Sequence, residues 1–438
     1  MKQNNDKTAG VTGMKNALLA AVVAAGLLVQ GCTAGDIVKE DIAENNDRTA
    51  AVSAASETGA QEAGPEEAYL TSEGLDGAPK LAGLTCRGKM ILEQASCFDV
   101  YYYTDGFKVL RVYADQRDSA ADSGSGPADY LLVPEGSAKP DGLDSEITVI
   151  QQPLDALYVA ATSSMCFFSD LESMDAVKMT GTDRDGWYID APKEALEAGT
   201  LLYAGKYSEP DYELMVGKGC DLAIESTMIL HSPEVQEMIE SLSIPVFIDR
   251  ASYEPEPMGR TEWIKLYGAM MGKEEAAFDY FNSQKDVISD LEGFQNTGKT
   301  VTYFTVSSNK NVVVRKADDY IPHMIEQAGG VYTFQDMEAA GESAAVNMSM
   351  EQFYSDAVDS DYMVYNATIE QPLEKTSDLT DKDALFGEFK AVQEGNVWQI
   401  DRAAYQSADR ISYMIRDFHI MLTDGDQSRL TFLSKVPD

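Results

Sequence analysis

The chain has 438 residues, with 34 Lys and Arg against 73 Asp and Glu, a formal charge of −39 at pH 7. That length allows two or three domains with ample core, and that charge argues against a nucleic-acid backbone or a polybasic membrane patch, both of which need clustered Lys and Arg. Three histidines leave little for a His-rich metal site, and five cysteines are too few for a disulfide scaffold.

Lys2, Lys7 and Lys15 precede the apolar run Ala17 to Val29. The run is shorter than the roughly 20 residues a spanning helix needs and reads as part of a signal peptide, residues 1–31, with Met1 or Met14 as its start. It ends in Val29-Gln30-Gly31-Cys32, which resembles the bacterial lipobox, although Gln30 is not the favoured small residue. The resemblance implies a diacylated Cys32 and an anchored, outward-facing protein; a cut at another bond, with Cys32 incidental, is the alternative. Residues 32–83 read as a disordered acidic tether, since Thr33 to Lys80 holds 11 acidic and 3 basic residues and few large apolar ones.

Folded sequence is expected from Leu84, opening an N-terminal lobe over 84–258. Val100 to Tyr103 and Phe107 to Tyr113 flank Asp105-Gly106 and predict a β-hairpin. Asp118 to Asp129 reads as a loop and Tyr130 to Val133 as a strand. Cys86 and Cys97 are either a disulfide or two buried thiols. From Ile147 strands and helices alternate: strands at 147–150, 156–160, 176–180, 201–203, 222–224 and 245–248, with helices near 163–171, 212–217 and 233–242. That is the rhythm of a parallel sheet covered on both faces. Arg260 to Leu291 lacks proline and repeats apolar residues at helical spacing, which predicts one long helix within a connector, 259–294. The rhythm restarts in a C-terminal lobe, 295–438, with strands at 300–306, 311–315, 362–366 and 397–400 and helices at 321–328, 351–357, 385–390 and 412–422.

The lobes echo each other. Pro210-Asp211-Tyr212-Glu213 precedes an acidic turn and Leu222-Ala223-Ile224; Met348-Ser349-Met350-Glu351 precedes Asp359-Ser360-Asp361 and Tyr362-Met363-Val364. Together with Arg260-Thr261-Glu262-Trp263-Ile264-Lys265-Leu266-Tyr267-Gly268 and Ile325-Glu326-Gln327-Ala328-Gly329-Gly330, these segments resemble the substrate-binding lipoproteins of ABC importers for ferric siderophores, haem and cobalamin. The resemblance runs from about Ile147 to the C-terminus. Gly219-Cys220 stands where that family has a proline, Pro153-Leu154-Asp155-Ala156-Leu157 departs from its usual entry strand, and 84–146 is longer than its minimum. It implies an α/β fold of two Rossmann-like lobes with parallel sheets, joined by one long rigid helix that permits only small opening.

It also implies that Glu213 and Glu351 meet arginines of a permease driven by an ATPase; as residues alone they are ordinary solvated carboxylates. A site for an anionic ligand in so acidic a chain must be built from placed arginines. The candidates are Arg184, Arg250, Arg260, Arg315 and Arg402, with Arg260 and Arg315 foremost, and each has a surface ion pair as its alternative. Trp187, Tyr188, Tyr253 and Tyr405 are candidates for facing a macrocycle or catecholate, with Trp263 more at home in the core. Ser163, Ser164 and Met165 follow a strand end, where open α/β sheets bind ligands. His231 and His323 are weak candidates for axial haem ligands. No catalytic motif stands out, although Ser226, His231 and a nearby Asp could be imagined as a triad. The reading is therefore a monomeric, membrane-anchored binding protein with no intrinsic cofactor. It would capture a metal chelate (ferric siderophore, haem or corrinoid) and deliver it to a permease. The alternatives are a surface scavenger or sensor, and an enzyme on the same lobes.

Overall fold

Strand-forming residues extend further towards the N-terminus than the expected hairpin. The computed structural model describes residues 68–114, 126–337 and 344–438. The signal peptide, Cys32, the tether up to 67 and most of the 118–129 loop lie outside the described residues. Six strands form the first sheet in chain order: β1 (Leu70–Thr71), β2 (Cys86–Met90), β3 (Phe98–Tyr103), β4 (Lys108–Val112), β5 (Ala128–Val133) and β6 (Thr148–Gln151). All neighbours are antiparallel except β5 and β6. The Asp105-Gly106 turn has φ of 60° and 79°, the doubly left-handed geometry that suits the strand twist. β3 is buried along its whole length because its alternate residues enter two cores, Phe98, Val100 and Tyr102 on one face and Tyr101 and Tyr103 on the other.

One sequence expectation changes here, and one open alternative is decided. Residues 68–83, placed in the tether, pack on the sheet: Leu70 pairs with Met90, and the Tyr69 ring lies 4.5 Å from that of Phe278. Tyr69, Leu70 and Leu75 are among the few large apolar residues of that acidic stretch, and the first two pack half-buried against the core. Cys86 and Cys97 do not pair with each other. Cys86 sits opposite Tyr103 in the β2–β3 register, so Cys97, just before β3, is at the other end of the hairpin.

The next sheet is entirely parallel, in the order β11-β10-β7-β8-β9. Its elements are β7 (Leu157–Val159), α1 (Met165–Asp170), β8 (Val177–Thr180), α2 (Asp190–Ala198), β9 (Leu202–Tyr203), α3 (Tyr212–Gly217), β10 (Leu222–Ser226), α4 (Pro233–Ser241) and β11 (Val246–Asp249). Asp221, just before β10, accepts the N–H groups of Asp155 (2.9 Å) and Ala156 (2.8 Å) and so sets the start of β7 beside it.

The connector departs from the single helix expected over 260–291. It is a hairpin of α5 (Pro257–Met271) and α6 (Glu274–Val287). Gly272 takes the left-handed conformation that ends α5, with φ 67°. Gly268 allows the two helices to close, since a Cβ there would lie 2.6 Å from the Ala277 Cβ. Both glycines fit a helix locally; the packing of α6 back on α5 gives them their other use.

The second lobe contains β12 (Thr300–Val306), β13 (Val312–Arg315), α7 (Tyr320–Gln327), β14 (Val331–Tyr332), β15 (Ala345–Met348), α8 (Met350–Ala357), β16 (Tyr362–Asn366), α9 (Ser377–Lys382), α10 (Lys390–Gln393), β17 (Val397–Ile400), α11 (Ile411–Thr423) and β18 (Leu433–Lys435). The expected helix over 385–390 is a tight 3-10 turn, Ala384–Glu388, that leads into α10. The sheet order is β15-β13-β12-β16-β17-β18, with β14 also beside β12. Its centre is parallel, as expected, while β13, β15 and β18 are antiparallel additions. The sequence echo is a structural one. Asp361, just before β16, accepts from the Thr300 N–H (2.8 Å) at the start of β12, as Asp221 does for β7.

Within α5 every residue except Arg260 and Met271 is buried, including Glu262 and Lys265, both 0% exposed. Glu262 accepts N–H groups from Glu93 (2.9 Å), Gln94 (2.7 Å) and Ala95 (2.7 Å) and the Lys265 ammonium (2.6 Å). Lys265 also lies over the rings of Phe278 (4.2 Å) and Phe281 (4.4 Å). Replacing Glu262 by Ala leaves a buried ammonium and three backbone donors without their acceptor. The expected cost in denaturant unfolding is about 3–5 kcal/mol. Glu93→Ala removes only the partly exposed contacts of Glu93 with Lys265 and Lys285 and should cost about 1 kcal/mol or less. Equal costs for the two variants would contradict this account.

Candidate functional site

The C-terminal ends of β10 and β11 open into a cleft of about 380 Å³ between the lobes. Thr227 follows β10 and Ser252 and Tyr253 follow β11; Arg260 comes from the first turn of α5. The second lobe contributes Arg315 from the end of β13, Tyr320 from the start of α7, and Tyr405 from the 3-10 turn Arg402–Gln406 after β17. A site at the carboxyl ends of parallel strands follows from open α/β topology: the chain leaves the sheet there in loops whose composition is free to vary.

Arg260 is held in place by its neighbours. Its guanidinium donates to the carbonyls of Ser252 and Glu254 (3.4 Å to the latter) and stacks 3.3 Å from the Tyr320 ring centre. Among the described residues no carboxylate lies within ion-pair distance of it, although its charge reaches the buried Asp249, whose carboxyl it favours in the ionised form. Arg315 stands 3.7 Å from the Asp319 carboxylate at a distance where attraction persists without close contact. Its backbone N–H and carbonyl both engage the Tyr332 hydroxyl, at 3.0 and 2.8 Å, which fixes the end of β13. Tyr253 and Tyr405 are 45% and 60% exposed and present ring surface at the cleft.

Four of the candidate ligand residues, Tyr253, Arg260, Arg315 and Tyr405, thus share one cleft. The other candidates do not line it. Arg250 packs behind Tyr253, 5.5 Å from its ring, and donates to the Ala114 carbonyl (2.9 Å). Arg402 donates to the Tyr188 hydroxyl (2.8 Å), so both belong to a contact between the lobes beside the cleft. Trp187 is buried, and its indole N–H meets the Thr182 carbonyl (3.1 Å); a large ring in a loop here serves the core. Ser164 and Met165 are buried, with the Ser164 hydroxyl spent on the Ala161 carbonyl (2.8 Å), while the half-buried Ser163 offers its carbonyl to Cys166. Arg184 pairs at the surface with Glu197. His323 is tied to the Pro255 carbonyl (3.0 Å), and His231 is exposed. Sequence reasoning missed Tyr320 and Thr227. Tyr320 could have been found, since it lies one turn beyond Arg315, directly after the helix cap Asp319.

Glu213 and Glu351 occupy equivalent places. Each is exposed at the second position of a short helix, α3 or α8, whose start is capped by Asp211 or Ser349 accepting from the residue three further on. The Glu351 carboxyl is drawn below the usual range by its own N–H and the Ser349 hydroxyl. Among the described residues no group of three or more His, Cys, Asp or Glu is placed to hold a metal ion, and no helix is long and apolar enough to cross a membrane.

No family model matches the chain. It is 23% identical over 326 residues to an uncharacterized lipoprotein of Methanocaldococcus jannaschii, covering 70% of this chain and 75% of that one. A second uncharacterized lipoprotein of that organism is 24% identical over 338 residues, covering 74% and 83%. Among solved structures, a periplasmic binding protein from Veillonella parvula superposes with a TM-score of 0.51 at 12% identity, covering 68% of this chain and 95% of that one. A periplasmic haem-binding protein from Pseudomonas aeruginosa gives 0.50 at 14% identity, covering 65% and 98%. The fold is therefore that of the two-lobed periplasmic binding proteins. Its sequence relatives carry the name lipoprotein.

Two residues before Thr227 along β10, Glu225 is fully buried, and neither carboxyl oxygen has a hydrogen-bond partner among the described residues. Burial alone pushes it from 4.5 up to about 8. The folded chain therefore keeps a proton that the unfolded chain releases between those values, so this residue makes stability fall as pH rises from 4.5 to about 8. Glu225→Gln should remove that part of the slope, with the gain over wild type growing towards pH 8 in denaturant titrations. A gain that does not change with pH would contradict the assignment.

Proposed function

We propose that the chain is the lipid-anchored substrate-binding component of an ABC importer, capturing a ferric siderophore, haem or corrinoid in the cleft and delivering it to the permease. The observation that carries the reading is Arg260: a guanidinium stacked on Tyr320, with no carboxylate partner, sharing a cleft with Arg315. A preset arginine loses little conformational freedom on binding, and its planar fork suits carboxylate or catecholate oxygens. Tyr253 and Tyr405 would lie against a ring system. The cleft volume falls within the roughly 300–1,000 Å³ of small-molecule sites. The metal would arrive with the ligand.

In this reading the lobes close on the ligand through small motions about the α5–α6 connector, and docking on the permease loosens them again. Glu213 and Glu351, one on each lobe, would meet permease arginines and fix orientation across both lobes at once. A diacylated Cys32 would hold the chain at the outer face of the membrane, with the residues before 68 as tether. A monomer suffices for each of these steps.

The test is uptake of the ligand by cells carrying Glu213→Ala with Glu351→Ala. Two contacts of about 1 kcal/mol each should cost roughly thirtyfold in docking, with ligand affinity of the purified protein unchanged. Uptake that survives the double variant while binding is intact would turn the reading towards a surface scavenger or sensor.

A further inference from the structure

The stretch 402–410 of the second lobe forms a seam with the first. Gln406 donates to the Gly186 carbonyl (2.8 Å) and accepts from the Tyr188 N–H (2.7 Å), beside the Arg402–Tyr188 contact. At the far end of this stretch Asp409, 4% exposed, meets Asp170 at the C-terminal end of α1, and Tyr280 of α6 donates to Asp409 Oδ2 (3.0 Å). First lobe, connector and second lobe each supply one group to this cluster, with Asp409 buried and Asp170 and Tyr280 half-buried. Asp170 Oδ2 and Asp409 Oδ1 are buried and receive no N–H or O–H from the described residues. Two carboxyls in contact can satisfy such oxygens between themselves if one of them keeps its proton and donates it to the other.

The surroundings allow this. Cys166 on α1 stays a neutral thiol because burial pushes its pKa well up. Thr261 of α5 is uncharged and donates to the Ala408 carbonyl (2.9 Å). Arg410 is the cation nearest in sequence and favours ionisation, but its guanidinium is committed to the rings of Tyr413 (4.6 Å) and Phe432 (5.9 Å). We propose that Asp170 and Asp409 share one proton, and that this proton holds the seam between the lobes closed. When a solvent base removes it, the O–H electron pair stays on the carboxylate, and two negative charges are left together out of water.

Burial and the Asp409 charge raise Asp170 from 3.8 to about 8, whereas an open seam exposes both carboxyls to water at ordinary values. The closed seam thus holds a proton that the open one lacks between those limits. Opening becomes easier as pH rises through that range, by up to about tenfold per pH unit, and levels off above about 8.

The experiment is amide hydrogen exchange of residues 402–410 in the full chain between pH 5 and 9, corrected for intrinsic rates and run without ligand, so that its outcome is independent of the transport reading. Wild type should show the rising opening constant and the plateau, and Asp170→Asn should flatten the rise. Asp409→Asn serves the same purpose if the first variant folds poorly. The carboxyl carbon resonances of the wild type give a check that needs no variant: one aspartate of the pair titrating near 8 is expected. A flat wild-type profile, a slope that persists in the variants, or two carboxyls titrating at ordinary values would each overturn the proposal.

Discussion

Two buried carboxylates grip the same loop and join the extra sheet to the connector. Glu254, just before α5, accepts from the N–H and hydroxyl of Ser96, the Cys97 N–H and the Trp263 indole; Glu262, one turn into α5, accepts from Glu93, Gln94 and Ala95. A buried carboxylate is tolerable only when its lone pairs are met, and here backbone donors from residues 93–97 meet them. The consequence reaches the cleft. The backbone carbonyl of Glu254 is one of the two acceptors that aim Arg260, so the loop before β3 helps to set a guanidinium in the cleft. The N-terminal sheet braces the first lobe as well as extending it.

The charge of −39 takes on a local meaning against that frame. Most acids are solvated or cap helices and strands, as Asp211, Asp221 and Asp361 do. The cleft carries both signs: Arg260, Arg315 and Lys316 line it together with Glu254, Asp318 and Asp319, and Asp319 stands 3.7 Å from Arg315. A few fixed cations in a long-range negative field select by geometry more than by attraction, since exposed like charges around the cleft are screened beyond about 8–10 Å at physiological salt while the cleft contacts are not. Buried acids without cations form a third population. Glu225 and the Asp170–Asp409 pair keep protons that exposed carboxyls would release.

Much of this architecture was legible in the sequence because it rests on local signals. The Asp105-Gly106 turn, the alternating strands and helices from Ile147, and the paired segments before Asp221 and Asp361 need only neighbouring residues to be read. Arg260 and Arg315 were legible as cleft-lining residues because strand ends and helix starts bound the cleft of an open sheet. The rest was set by contacts distant in sequence. Gly268 and Gly272 look like minor weaknesses of one helix until Ala277 packs against the first. β13 carries no sign that it runs antiparallel to both of its neighbours, β12 and β15. Trp187 and Tyr188 both sit in a loop, yet one finds the Thr182 carbonyl inside and the other finds Arg402 on the opposite lobe.

The central claim is that the cleft around Arg260 and Arg315 binds an anionic metal chelate. Its most direct measurement is an absorbance and calorimetric titration of the chain from residue 68 onward with ferric siderophores, haem and cobalamins. One class should bind at one ligand per chain, and affinity should fall by about tenfold or more with either Arg260→Ala or Arg315→Ala, the loss of one charge-assisted contact. Binding by none of the three classes, or binding untouched by both substitutions, would contradict it.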